Sequence, residues 1–453
     1  QRLQGKVYGE FIANAKIFDG LKKFIIHSNL KNYKIFIVSH KTHFGHYDEK
    51  KISLRKAALD FLNSKKIISS DVTGIKKKNI FFFTTRRKKI FYIKKLKLNF
   101  FIDDLSEVLC DKNFPNKTNK ILFSKSKDDK KDIIRINNWF KIDEIINGYW
   151  STQHLKKLSS ILLKKNDILN LNQIHNGINS KVYKLKFKKN KNLILKTYPF
   201  EDNFVSRRMR VENDSLRYLK KNNFPVPGIH KSFFEFNCSF YEFQSGKKNL
   251  KASKLLIDQC YDFLKKLFLL SRKTKINLFP NAKEACFNPN EICEQIEKRF
   301  NKLLKINNKK LNNFLLIEFR DLFKKYLKIT KSKLNKKFKN NISNSNRILS
   351  PSDFGLHNTL SEKNKLYFLD FEYFGWDDPI KLICDFFWHP GNNMSKKLKD
   401  RFLNKVINLF SKKYKNFKNK LYVLLPLYGL RWCLIILNYF VKKNYKNKIL
   451  ETQ

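Results

Sequence analysis

Residues 349–360 read LSPSDFGLHNTL, and residues 369–379 read LDFEYFGWDDP. Together they put Asp353 and Asn358 in one loop, five residues apart, and Asp370 at the end of the apolar strand KLYFL. Oxygen ligands delivered by separate elements suit a hard cation such as magnesium. Singly, Asp and Asn are cap and turn formers. The ordered set of three is what points to chemistry.

Upstream, the texture supplies candidates for a phosphate site. HNGINSKVYKL (175–185) sets Asn176, Gly177, Asn179 and Ser180 in a polar turn between two predicted strands, where backbone N–H groups face an anion. A lone glycine there is otherwise an ordinary turn residue. Lys196 ends the apolar strand LILK, and Glu212 follows sixteen residues later in a predicted helix closed by Pro225 and Pro227. A strand lysine paired with a helix glutamate is the expected clamp on a nucleotide's phosphates. Residues 250–345 have an almost wholly helical pattern, rich in Lys and Leu, and a helical tail ends the chain.

In this order, residues 168–390 resemble the aminoglycoside phosphotransferase and choline kinase-like family. The resemblance implies an α+β bilobal, protein-kinase-like domain over 168–453 that uses ATP and Mg²⁺ to phosphorylate a hydroxyl of a small metabolite such as a sugar, a choline-like or an aminoglycoside-like compound. That family's HGDxxxxN loop corresponds to PSDFGLHN, which makes Asp353 the catalytic carboxylate and Asn358 a metal ligand. LDFE carries over a metal-binding Asp to Asp370, with Glu372 beside it. Lys196 and Glu212 match the family's ion pair, and YEFQSG (241–246) resembles its adenine hinge. WDDPIKLICDF matches a later motif in which Asp378 and Asp385 brace the loop. The departures are Pro351, where the family has His, and Ser352, where it has Gly.

The front of the chain alternates strands and helices, which implies a parallel sheet with helical cover. KIFIVS (34–39), IFFF (80–83), NFFIDD and KILFS read as strands; helices are predicted near 53–64 and 86–98. Asp103 and Asp104 at a strand's C-terminal end point into the ligand crevice of such a sheet, or cap the next helix. Residues 20–125 resemble the haloacid dehalogenase-like hydrolases, with a Rossmann-like α/β sheet. The resemblance implies a phosphate site of Ser39 and Lys89 (or Lys88) and a metal site of Asp103 and Asp104. That family's nucleophile motif on the first strand is missing; Asp19-Gly20 lacks the partner Asp and reads as a turn or cap. His40, His43, His46 and Asp48 cluster in a loop after the first strand, where a phosphate-site rim explains them as well as a metal does. The expected organisation is therefore a hydrolase-like domain over 1–145, truncated at a front that opens on Gln1 instead of Met, a connecting helix over 146–167, and the kinase-like domain over 168–453.

Composition narrows the partners. The 453 residues carry a formal charge of +56, with 95 Lys and Arg against 39 Asp and Glu. Lys, Asn, Ile and Phe are enriched together along the whole chain, a pattern an AT-rich genome writes. Lysines spread over every segment argue for a solvated surface and against a nucleic-acid stripe, while still steering phosphorylated ligands inward. Seven scattered cysteines without a CxxC pair fit a reducing cytoplasm, and no signal peptide is visible. LYVLLPLYGLRWCLIILNYFV (421–441) is apolar, but Pro426, Gly429, Arg431 and Asn438 interrupt it, so a buried core helix is expected and no membrane span. Nothing in the sequence sets an oligomeric state.

Overall fold

The computed structural model describes residues 2–45, 50–124, 132–176, 180–189, 191–199, 207–248, 251–335 and 338–441. The chain divides into two compact units, 1–209 with 230–243, and 210–229 with 244–453. The third crossing between them, at Phe243 and Gln244, falls inside the stretch read as a hinge.

The first unit holds three sheets, two of them in its front part. Strands β1 (Ile37–His40) and β2 (Ile80–Phe83) pair in parallel, as do β3 (Phe100–Asp103), β4 (Asn119–Leu122) and β5 (Ile133–Arg135). The expected helices are α1 (Leu21–Leu30), α2 (Leu54–Ser64) and α3 (Arg86–Leu96). Helix α3 stops at Leu96 because Lys97 turns left-handed, φ 49°. Gly20 is the N-cap of α1 at φ 87°, where a Cβ would meet Phe140; the Asp19-Gly20 pair is thus at a turn, as expected. Val38, Ile90, Ile93 and Phe101 form one part of the core, and Ile25, Ile75, Ile121 and Ile142 another.

The connecting helix arrives as two pieces, α4 (Trp139–Asn147) and α5 (Thr152–Leu163), because Gly148 leaves the helix at φ 68° and Ser151 caps the next one. Next come β6 (Ile168–Asn176), β7 (Lys181–Phe187), β8 (Leu193–Thr197), β9 (Ile229–Phe233) and β10 (Cys238–Glu242). Their order, β6-β7-β8-β10-β9, makes a five-stranded sheet in which β6–β7, β7–β8 and β8–β10 pair antiparallel. Leu171, Tyr183, Leu185, Leu195 and Phe240 line its face against Leu155, Leu158 and Leu162 of α5, and Ile26 of α1 joins that cluster. Alternation along β8 puts Lys196 on the opposite face from Leu195 and Thr197.

The second unit takes most of α6 (Arg207–Lys221) and is otherwise mainly helical: α7 (Lys254–Ser271), α8 (Pro289–Leu304) and α9 (Arg320–Leu334), the last preceded by a π-helical turn at Phe314–Phe319. The helical expectation over 250–345 fails at both its joints. Residues 279–288 and 338–343 are irregular, where Pro280 and Pro289 punctuate the first joint and asparagines dominate the second. Short strands follow: β11 (Lys247–Lys248) pairs with β13 (Thr359–Glu362), which pairs with β14 (Lys365–Phe368), and β12 (Ile348–Ser350) pairs with β15 (Gly375–Asp377). Helices α10 (Pro379–Trp388), α11 (Lys396–Ser411) and α12 (Phe417–Ile436) close the unit. Residues 417–441 are long and apolar enough to cross a membrane. Even so, Leu421, Leu424, Leu427 and Leu434 are buried in the protein and α12 packs on α8, α9 and α10.

Candidate functional site

Hairpin β13–β14 builds the centre of the site. Its two-residue turn, Lys363-Asn364, has both residues left-handed (φ 47° and 62°), the tight turn whose twist suits a hairpin. Pairing Thr359 with Phe368 brings the residues just outside it together, and Leu369 N–H donates to Asn358 O at 2.9 Å. Asn358 and Asp370 therefore flank the open end of one hairpin. Asn358 Nδ2 also donates to Asp353 O at 3.0 Å, closing the loop on itself, while its Oδ1 has no hydrogen bond among the described residues. Rings pin the same parts from below: Phe263 of α7 stacks on Phe368 (centroids 4.0 Å) and on Phe354 (5.7 Å).

Asp353 is held by two imidazoles that the sequence reading did not single out. His357 Nε2 lies 3.1 Å from Asp353 Oδ1 and His389 Nε2 lies 3.5 Å from the same oxygen. The two rings are parallel, 3.9 Å apart. Gly391 N–H donates to His389 Nδ1 at 2.9 Å, so the proton of that ring sits on Nε2 and faces the carboxylate. Burial alone would raise the Asp353 carboxyl; the hydrogen bonds from His357 and His389 and the electrostatic pull of the two imidazoles override it and hold Asp353 well below the usual carboxylate range. Space there is tight: a Cβ on Gly355 would come 2.6 Å from Asn392 Oδ1 and 2.8 Å from His357 Nδ1. Asn392 in turn accepts from Leu356 N–H (2.7 Å) and donates to Phe386 O (2.6 Å). Ser352 takes the left-handed conformation glycine favours, φ 67°, and its hydroxyl donates to Lys283 O at 3.0 Å.

A second group lies at Asp370. Ligand oxygens of Glu212, Asp370 and Glu372 all fall within 4.8 Å of one another, with Glu212 and Glu372 buried. Glu212, expected to pair with Lys196, lies beside the two acids after β14. Lys196 is buried on β8 of the first unit, its ammonium 5.3 Å from the Tyr198 ring. Of the phosphate-turn residues, Asn176 ends β6 and Ser180 precedes β7, while Gly177 and Asn179 lie outside the described residues.

Behind the loop runs a buried charge network. Lys381 bridges Asp377 and Asp385, each at 2.9 Å; Arg431 binds Asp385 (2.9 Å) and Glu284 (2.7 Å). Burial pushes Asp377 up to about 6, against the pull of Lys381. Asp385 is also tied to the loop's support, since its carbonyl accepts from His389 N–H and its Oδ1 from Trp432, whose ring meets the His389 ring edge-on at 4.6 Å. Asp378 caps α10 through Ile380 N–H.

In the front module, Lys89 Nζ lies 2.5 Å from Asp103 Oδ2, a buried ion pair, and Leu105 N–H donates to Asp103 Oδ1. Asp104 is exposed, and Ser39 sits in β1 opposite Phe82. His40 Nε2 bonds Thr84 O at 3.0 Å; His46 and Asp48 lie outside the described residues.

No protein-family model matches the sequence, and no curated protein matches it. Among solved structures the chain is similar to the aminoglycoside phosphotransferase APH(4)-Ia, at 12% identity over 64% of this chain and 93% of that one, TM-score 0.43. It is similar to a Plasmodium vivax ethanolamine kinase at 18% identity, over 68% and 89%, TM-score 0.44. A choline/ethanolamine kinase family protein from Mesorhizobium loti gives 14% identity, 64% and 85%, TM-score 0.44.

Proposed function

We propose that the chain is an ATP- and Mg²⁺-dependent phosphotransferase acting on a hydroxyl of a small metabolite, with the working domain over 168–453. The observation that supports this best is the joint placement of a carboxylate held ionised, Asp353, with Asn358 and Asp370 at the mouth of one hairpin. In this reading Asp353 accepts a hydrogen bond from the acceptor hydroxyl and aims its oxygen. Its low proton affinity makes it an orienting group more than a strong base. Lys196 and the Asn176–Ser180 turn hold the phosphates of ATP. The donor set around Asp370 fits a hard cation: Asn358 Oδ1, Asp370 and Glu372, with Glu212 beside them. When bound there, Mg²⁺ supplies charge neutralisation on the transferring phosphoryl group. Asp353→Asn keeps the shape and removes the charge, so turnover over a panel of sugars and small alcohols should fall by about 10²–10⁴ while ATP binding persists. Unchanged turnover would sink the assignment.

The Lys89–Asp103 pair favours a second, subordinate reading: a phosphate-ester site in the front module, using Ser39 and Lys89 for phosphate and Asp103 with Asp104 for a metal. It lacks a nucleophile in the sequence given. Release of phosphate from sugar phosphates that is lost in Lys89→Met would support it.

A further inference from the structure

A cavity of about 610 Å³ lies within the first unit, between α1, the Gly148–Ser151 joint and the α5-covered face of the five-stranded sheet. It is lined by Lys23, Phe140, Tyr149, Trp150, Lys181 and Thr197, among others. Because Leu195 and Thr197 share a face of β8, the cavity is on the side away from Lys196, one sheet's thickness from the proposed nucleotide face.

Its charge is unbalanced. Lys23 sits between the Phe140 and Trp150 rings, 5.4 and 5.6 Å from their centroids, and is only partly accessible. Lys181 lies over the Tyr149 ring at 5.2 Å. Neither lysine has a carboxylate partner among the described residues. The nearby acids are already used: Asp143 accepts from His27 (2.8 Å), Asn147 (2.7 Å) and Trp150 (2.7 Å), and Glu144 pairs with Lys141 (2.9 Å). Burial lowers the Lys23 ammonium from its ordinary range, with Asp143 pulling the other way. An unpaired cation this enclosed costs stability unless an anion meets it.

We propose that this cavity binds a small organic anion, its carboxylate or phosphate on Lys23 and Lys181 and its apolar body against Phe140 and Tyr149. The site does not depend on the phosphotransferase reading. Its wall includes Ser180 and Lys181, which follow the phosphate turn, and Thr197, which follows Lys196.

Phenyl phosphate, a ring carrying one anionic group, is the probe, with inorganic phosphate as the anion alone. Calorimetric titration of the full chain at physiological salt should show one phenyl phosphate site that is weakened by about tenfold or more in Lys23→Met, as expected for losing a hydrogen bond to a charged group. Tyr149→Ser, at a side chain 77% exposed, leaves folding untouched and should weaken the probe several-fold. Asp370→Asn should leave it unchanged. Lys23→Met should melt no lower than wild type, because it removes an unpaired buried cation. The proposal is overturned by equal affinity in Lys23→Met and wild type, by inorganic phosphate binding as tightly as phenyl phosphate, or by a lowered melting temperature in Lys23→Met, which would make the lysine a structural prop.

Discussion

The loop at Asp353 has Pro at position 351 and takes its support from elsewhere in the chain. Two imidazoles reach one carboxylate oxygen, one from inside the loop and one from the turn after α10. With both replaced, as in His357→Gln with His389→Gln, burial dominates and the Asp353 carboxyl rises. The acid limb of the pH–rate profile should then shift upward in the double variant, with kcat at neutral pH down by about tenfold. The sign for stability follows the same shift. A depressed carboxyl stabilises the fold above its unfolded value, and that share is lost as pH falls through its folded value, so wild type should lose more stability than the double variant on acidification. Chemical denaturation across pH 3–7 measures both curves. That Asp353, Asn358 and Asp370 lie together was legible because their spacing is local. His389 was not, since thirty-six residues and a helix separate it from the loop it serves.

Elements convert that local spacing into geometry. The hairpin β13–β14 sets how far Asn358 stands from Asp370, and its turn uses two non-glycine residues at positive φ. Asn364→Gly should relieve about 1 kcal/mol of backbone strain and stabilise the domain in urea unfolding without changing turnover. A loss of turnover would show that the turn residue itself has a further role. Strand assignments such as IFFF and LILK were readable from apolar runs bounded by polar turns. The helical reading of 250–345 failed at the joints, because a lysine- and asparagine-rich joint has the composition of a solvated helix face but no apolar stripe to pack. Glu212 was read correctly as helical, yet its grouping with Asp370 and Glu372 depends on how α6 packs, and no spacing in the sequence records that.

At the scale of the whole molecule, charge acts in two ways. Inside the second unit, Lys381 sits between Asp377 and Asp385, and Lys381→Met strands the buried carboxylate of Asp377 while leaving Asp385 to Arg431; it should cost about 3–5 kcal/mol in denaturant unfolding, and a loss under 1 kcal/mol would show the network is dispensable. Outside, the excess of lysine attracts anions at long range; under the proposed function kcat/KM for ATP should therefore fall several-fold from about 20 mM to about 500 mM salt while kcat holds. The apolar stretch 421–441 was read as core from its interruptions at Pro426, Gly429, Arg431 and Asn438, and of these Arg431 is tied to Asp385, Glu284 and Gln295.

The hydrogen bond from Gly391 N–H to His389 Nδ1 has a consequence for inheritance. A loop that borrows its support from a distant turn makes substitutions at separate places interdependent. Chains descended from the same ancestor that carry Pro at position 351 should keep His389, a residue with a backbone N–H two positions later, and the Gly355–Asn392 fit; those with a side chain at 351 that can itself support the loop should be free to lose them. Aligning such descendants tests this, and Pro351 occurring freely beside any residue at 389 would refute it.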